Sequence, residues 1–287
     1  MSNLLITGAN GFVGRYFVQK YTPKYSIKQF SFRDDELSDL NLSEVETVIH
    51  LSALVHQMGG ATPEEYERIN VTQTLELAQK AKKSGVKHFI FMSSIKACGE
   101  ENSGVYRENS QCNPEDEYGK SKLKAEMSLE KLEDKNFRVS IIRTPIVYGY
   151  GVKANIKNLI SLVRKTLLLP FASINNRRSM VYIGNLCHML DVVVQKRQSA
   201  IFLAADDSPL STTNLIELIA KELNKKLYLV KIPFFATLLK GVKPSFYKRL
   251  FESLEVDNSV TKKSLELTNL YTVEEGIHYM IHGEEQG

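Results

Sequence analysis

Tyr118 and Lys122 stand four residues apart in the run Tyr118-Gly119-Lys120-Ser121-Lys122. At the start of a helix that spacing puts both side chains on one face, where an ammonium can act on a phenol. A tyrosine with an ordinary pKa near ~10 is a weak base at neutral pH, and a neighbouring cation stabilises its phenolate and makes it a usable proton acceptor. A hydroxyl at the end of a preceding strand would complete the site by hydrogen-bonding the reacting oxygen. The run Phe89-Ile90-Phe91-Met92-Ser93-Ser94 supplies two. Taken alone, Y-x-x-x-K is commonplace on surfaces and Ser-Ser commonly caps a turn. Their weight comes from what lies upstream.

Upstream is Gly8-Ala9-Asn10-Gly11-Phe12-Val13-Gly14, directly after the apolar run Leu4-Leu5-Ile6 and at the opening of a helix-like segment. A strand-to-helix turn aims free backbone N–H groups and the positive helix end at a pyrophosphate, and side chains at the glycines would obstruct the turn or the ligand. The candidate dinucleotide contacts here are Gly8, Gly11, Phe12, Val13 and Gly14. An oxidised nicotinamide would then be a second cation beside Tyr118. After the second strand an acidic residue favours a free ribose 2′-hydroxyl and a basic one a 2′-phosphate. Phe32-Arg33-Asp34-Asp35 offers both, so Arg33 is a candidate cofactor contact and the choice between NAD and NADP stays open.

These residues need a scaffold. Short apolar runs at 4–7, 26–32, 47–51, 88–92 and 138–143 alternate with helix-like segments at 14–21, 63–84 and 118–133, the order of βαβ units on a parallel sheet. Thr62 and Pro63 with two glutamates form a helix start, and Ser84-Gly85 a stop. After Tyr148-Gly149-Tyr150-Gly151 the alternation fades, with helices at 156–165, 185–194, 212–223 and 272–281 and strands at 178–183 and 200–204. The expected fold is α/β: a Rossmann-type doubly wound parallel sheet over residues 1–150 and a smaller mixed α/β substrate-binding portion over 151–287, with the chain free to cross back.

Composition excludes several classes. Basic residues (37) barely exceed acidic ones (33) and form no long run, so nucleic acid is a poor expectation. Cys98, Cys112 and Cys187 are in no metal-like spacing, so no metal is expected and reduced thiols in a cytoplasm are. The amino end lacks the pattern of a signal peptide. No apolar run reaches the roughly 18 to 20 residues of a membrane span; the stretch 232–239, between Lys231 and Lys240, is at most an apolar surface patch or a helix packed in a core.

The motifs together resemble the extended short-chain dehydrogenase/reductases of the nucleotide-sugar epimerase and dehydratase family. The likeness runs through the glycine turn, Val48-Ile49-His50-Leu51-Ser52-Ala53, Asn70-Val71-Thr72-Gln73-Thr74, Ser93-Ser94, Tyr118 to Lys122 and Arg143-Thr144-Pro145-Ile146-Val147-Tyr148-Gly149. It implies that Ser94, Tyr118 and Lys122 are catalytic, with Tyr118 and Lys122 also against the cofactor. By the same likeness Asp39 and Leu40 border the adenine, Leu51 and Ala53 line the cofactor, and Pro145 lies against the nicotinamide. It places Arg178, in Arg177-Arg178-Ser179-Met180, on a nucleotide diphosphate, with Asn155 beside it, Asn158 one turn away as the alternative, and Arg249 a weaker candidate. A homodimer is also implied.

The family's dehydratases carry Asp-Glu just after the catalytic hydroxyl, where this chain has Ile95-Lys96. Lysine is no carboxylic acid and isoleucine has no proton to give, which argues against dehydration. What remains is reversible oxidation at a carbinol, giving an epimerase, or one-way reduction of a keto sugar. The stretch 50–58, with Ser93 to Lys96 and Gly99-Glu100, resembles a surface-polysaccharide subgroup; that likeness implies 4-epimerisation of a UDP-hexose or UDP-N-acetylhexosamine, or reduction of a UDP-4-keto sugar, and puts His56 near the sugar without a catalytic role. A dinucleotide sensor without turnover is disfavoured because Ser94, Tyr118 and Lys122 are all retained.

Overall fold

The runs Leu4-Leu5-Ile6, Val48-Ile49 and Phe89-Ile90-Phe91 show no polar alternation, which is what strands covered on both faces require. The computed structural model describes residues 1–55, 60–100 and 104–283. Its strands are β1 (Asn3–Thr7), β2 (Ser26–Phe30), β3 (Thr47–His50), β4 (His88–Ser94), β5 (Val105–Tyr106), β6 (Arg138–Thr144), β7 (Ile146–Tyr148), β8 (Leu168–Leu169), β9 (Met180–Tyr182), β10 (Ala200–Leu203), β11 (Tyr228–Leu229) and β12 (Glu255–Val256). Six of them make one parallel sheet in the order β10-β6-β4-β3-β1-β2. The pairs β5 with β12, β7 with β9 and β8 with β11 flank it.

The helices are α1 (Phe12–Tyr21), α2 (Pro63–Tyr66), α3 (Gln73–Lys83), α4 (Glu117–Glu130), α5 (Ala154–Lys165), α6 (Ile183–Lys196), α7 (Thr212–Glu222), α8 (Phe235–Val242), α9 (Pro244–Phe251), α10 (Ser259–Leu265) and α11 (Val273–His282). Leu4, Ile6, Ile49, Ile90 and Ile142 point to one face of the sheet, into a core shared with Phe17 of α1 and with α6. Leu5, Val48, Phe89, Val139 and Ile141 point to the other, against Leu77 and Ala81 of α3 and Leu129 of α4. The strand order reverses between β1 and β3, so the crevice at their carboxyl ends is the place where such a sheet binds a ligand. One strand, β2, lies beyond β1, and most of its side chains are exposed as befits an edge.

Residues beyond 150 do return to the first unit: β10 is the outer strand beside β6, and α6 packs on α1. The expected helix over 63–84 is in three pieces. A capping box joins Thr62 and Glu65 at its start, and a π turn (Glu67–Thr72) interrupts it before α3. The stretch 232–239 enters α8, which has no fully buried residue but rests on the core through half-buried Phe235 and leaves much of its apolar surface exposed. Among the described residues no helix is long and apolar enough to cross a membrane.

Candidate active site

The glycine turn is closed from behind by backbone. Gly8 has φ +69°, and a Cβ there would lie 2.8 Å from Ser52 N and 2.9 Å from the carbonyl carbon of Leu51. A Cβ on Gly14 would come within 2.3 Å of Gly8 O, so α1 can sit this low on the turn only with glycine at that position. Gly11 is the N-cap of α1 and brings no side chain to its free N–H groups. Phe12 and Val13 open the helix, and Leu51 and Ala53 follow β3 across the crevice, half-buried. This is a cradle that a Cβ would fill, and it fits a dinucleotide pyrophosphate.

Arg33 is exposed in the turn after β2, beside Asp34 and Asp35, which are tied to Ser31. Asp39 is exposed at the end of a single helical turn, where Ser38 donates to it, whereas the Leu40 side chain is committed to the core. Leu40 can therefore offer a ligand only its backbone. Pro145 is buried where β6 ends, one residue past Thr144, the register partner of Ser94.

Ser93 and Ser94 point to opposite sides of β4, as successive strand residues must. The Ser93 hydroxyl donates a short hydrogen bond to Glu126, which also holds Arg143 through a bond of 2.7 Å to Nη2. All three are buried, so Ser93 serves the core. Ser94 instead caps the turn that follows, its hydroxyl accepting from Lys96 N at 3.3 Å, and it lies close enough to Tyr118 to favour the ionised phenol. Likeness favours Ser94 as the reacting hydroxyl, and Ser93 is taken up by Glu126.

Tyr118 lies in the first turn of α4, behind the N-cap Asp116, whose carboxylate accepts from Gly119 N at 2.7 Å. Lys96 binds Asp116 at 2.7 Å, and a Cβ on Gly119 would come 2.4 Å from Lys96 O. The turn after Ser94 and the start of α4 are thus locked together, which fixes Ser94 against Tyr118. Lys122, one turn on, is 2% exposed; its Nζ donates to Met92 O at 2.8 Å and lies 4.4 Å from the Phe91 ring centroid.

Burial governs both charges. It pushes Tyr118 up to about 12, against the pull of the Ser94 hydrogen bond, and brings Lys122 down to about 7, against the attraction of Glu126. In the protein by itself Tyr118 is therefore a neutral phenol, held so by desolvation. Its deprotonation needs a further positive charge at the site, and an oxidised nicotinamide brings one.

Asn70, within the π turn, was missed as a site residue. Its amide exchanges two hydrogen bonds with Leu54, at 2.8 and 3.0 Å, and donates to Ser121 at 3.0 Å, so one buried side chain ties the loop after β3 to the turn carrying Tyr118 and Lys122. A π turn bearing a buried asparagine is a common mark of a functional segment. The sequence signal was Asn70 itself, a polar residue on the inner face of an otherwise amphipathic helix.

On the opposite side of the crevice Arg178, Asn155 and Arg249 come together. Arg178 is half-buried, and its Nη1 donates to Glu252 O at 2.9 Å. Arg249 donates to Asn155 Oδ1 at 3.3 Å. Burial lowers the Arg178 pKa, and the charge of Arg249 adds to the effect while Glu100 opposes it, so all three groups face one region. Arg177 instead forms a bidentate pair with Glu255. Asn158 is exposed. His56 lies outside the described residues. Cys98 and Cys112, apart in sequence, meet as free thiols near Arg143. Glu222, His278 and His282 gather on the surface at the ends of α7 and α11, where His278 pairs with the Glu222 carboxylate and His282 with the Glu222 carbonyl.

This geometry has close parallels. The chain is 35% identical to UDP-glucose 4-epimerase of Vibrio cholerae, over 96% of this chain and 93% of that one. It is 26% identical to N-acetyl-alpha-D-glucosaminyl-diphospho-ditrans,octacis-undecaprenol 4-epimerase of Escherichia coli O157:H7, over 83% and 78% of the two chains. The fold is that of UDP-glucuronic acid 4-epimerase from Bacillus cereus, solved with NAD, with a TM-score of 0.79 at 18% identity and 98% of both chains covered. Residues 4–204 match the family described as NAD dependent epimerase/dehydratase. With the dinucleotide cradle and the Ser94, Tyr118 and Lys122 constellation in place, the chain belongs to the NAD dependent epimerase/dehydratase family.

Proposed function

We propose that this protein is a UDP-sugar 4-epimerase acting on a UDP-hexose or UDP-N-acetylhexosamine. The observation that carries the reading is the Ser94–Tyr118–Lys122 constellation at the switch point of the sheet, with Ile95-Lys96 where a dehydratase needs carboxylic acids. The 35% identity to a UDP-glucose 4-epimerase supports it over nearly the whole chain. A bound NAD would supply reversible hydride acceptance. Around it, Tyr118 exchanges the proton of the C4 hydroxyl, Ser94 holds the same oxygen, and Lys122, buried beside Met92 O, would add its charge to that of the oxidised nicotinamide in making the phenol acidic enough to act. The turn bearing Arg33 also holds Asp34, Asp35 and Glu36, and this net-negative loop supports NAD over the 2′-phosphorylated form.

Arg178, with Asn155 and Arg249, would hold the diphosphate, since a guanidinium grips two phosphate oxygens at once. In this reading residues 1–150 carry the cofactor and the remainder mainly the sugar nucleotide. The homodimer implied by the resemblance has half-exposed Met127 on α4 in its favour, and light scattering tests it. The function is tested by incubating the purified chain with UDP-glucose and UDP-N-acetylglucosamine without added nicotinamide. C4 epimers appear if the reading holds. Turnover seen only on a 4-keto sugar, with stoichiometric consumption of reduced cofactor, would make it a reductase instead.

A further inference from the structure

Positive charge and exposed apolar surface coincide in one stretch of this chain. Residues 223–251 hold seven of its 37 basic residues and none of its 33 acidic ones, so the rest of the molecule is slightly acidic. Within the stretch α8 and α9 pack on each other across the single link residue Lys243. Phe234, Leu238 and Val242, spaced by four residues and so on one stripe, are 83%, 66% and 68% exposed, and Phe246 of α9 is 44% exposed. Leu238, Val242 and Phe246 help to line an apolar groove of about 330 Å³ with Lys243 at its rim. None of these side chains serves the site described above.

A contiguous apolar face of this kind marks an interaction surface, and its charge selects the occupant. A second copy docking through the same patch would set basic face against basic face about a two-fold axis, with no acidic residue from either stretch to compensate. Short helices with Phe and Leu on one side and lysines around them have the make-up of segments that lie in the plane of a membrane surface. At eight residues each, about 12 Å long, they can rest on a bilayer but not cross it.

We propose that the α8–α9 hairpin is a docking surface for an anionic lipid bilayer, with Phe234, Leu238, Val242 and Phe246 at the boundary of headgroups and acyl chains and Lys231, Lys240 and Lys243 among the lipid phosphates. The inner side of α9 already touches the candidate diphosphate residues, since Arg178 donates to Glu252 O just past its end and Arg249 to Asn155. Docking therefore holds that side of the crevice about one helix diameter, ~10 Å, from the headgroups.

Flotation of the purified full chain with lipid vesicles tests this without reference to activity. Each lysine near an anionic surface changes partitioning about fivefold, so the chain should float at least about tenfold more with vesicles containing about a third phosphatidylglycerol than with phosphatidylcholine alone. The double variant Leu238→Glu, Val242→Glu should lose this binding, and Lys231→Glu, Lys240→Glu, Lys243→Glu should lose the preference for anionic lipid. Both should keep the parent's circular dichroism and unfolding midpoint, because the substituted residues are not buried. The proposal is overturned if the parent does not float with anionic vesicles, if the double variant floats as the parent does, or if light scattering shows the parent self-associating and the double variant not.

Discussion

The two sides of the crevice are built on different principles. On the cofactor side the functional groups are fixed by their own backbone. Gly8, Gly11 and Gly14 leave no room for side chains, Gly119 packs directly on Lys96 O, and Lys122 is held by Met92 O. On the substrate side Arg178, Asn155 and Arg249 come from three segments far apart in sequence, and their contacts reach one another and the carbonyls of an exposed helical hairpin. The first side is local. The second is assembled from distant segments.

The sharpest break in that comparison is Tyr118→Phe. Loss of the phenol removes the proton exchange and should lower kcat by roughly 10²- to 10⁴-fold, while titration calorimetry should find dinucleotide affinity little changed, because the cradle is backbone. A variant with normal turnover would place the chemistry elsewhere.

That contrast also explains what could be read from the sequence. The glycine turn, Tyr118 with Lys122 and the alternating strands and helices are local patterns, set by spacing within a few residues, and each appears in the structure where the pattern put it. The choice of Ser94 over Ser93 was not local, since it depends on Glu126 and Arg143 occupying Ser93 from below. Neither was the role of Asn70, which joins Leu54 to Ser121 across three elements. The run 232–239 reads equally as a surface patch or a packed helix, and the outcome depends on a distant partner, Phe171, against which Phe235 rests. The further rise of the Tyr118 pKa follows from desolvation, which spacing does not report.

Below the active site, the buried Glu126–Arg143 pair offers a test of the local side. Glu126→Ala leaves the Arg143 charge uncompensated inside the protein and should cost about 3 to 5 kcal/mol, measured by urea denaturation. A loss near zero would mean that the pair contributes nothing to holding β4 and α4 together.

On the assembled side the effect should be smaller and of another kind. Arg178→Lys keeps the charge but loses the fork, and a charge-assisted bond is worth about 1.5 to 3 kcal/mol. It should raise KM for the sugar nucleotide by roughly tenfold or more with kcat nearly intact. A fall in kcat at constant KM would instead place Arg178 at the reacting centre.

Acid separates the sides once more. His50 and His88 are buried in the sheet, and burial lowers each to about 3. The unfolded chain takes up these protons near the ordinary ~6.5 and the folded sites only near 3, so their contribution is whole above 6.5 and is lost as pH falls toward 3. Each should cost about 2 kcal/mol at pH 5 relative to neutral pH. Urea denaturation of His50→Asn should show a correspondingly shallower pH dependence, and an unchanged slope would mean that His50 is protonated in the fold.

The central claim, that hydride leaves and returns to C4 of one molecule while Tyr118 handles the proton, is tested most directly with a UDP-hexose deuterated at C4. The claim predicts that the C4 epimer formed without added nicotinamide keeps its deuterium. Deuterium lost from C4, or no epimer under any cofactor condition, would contradict it.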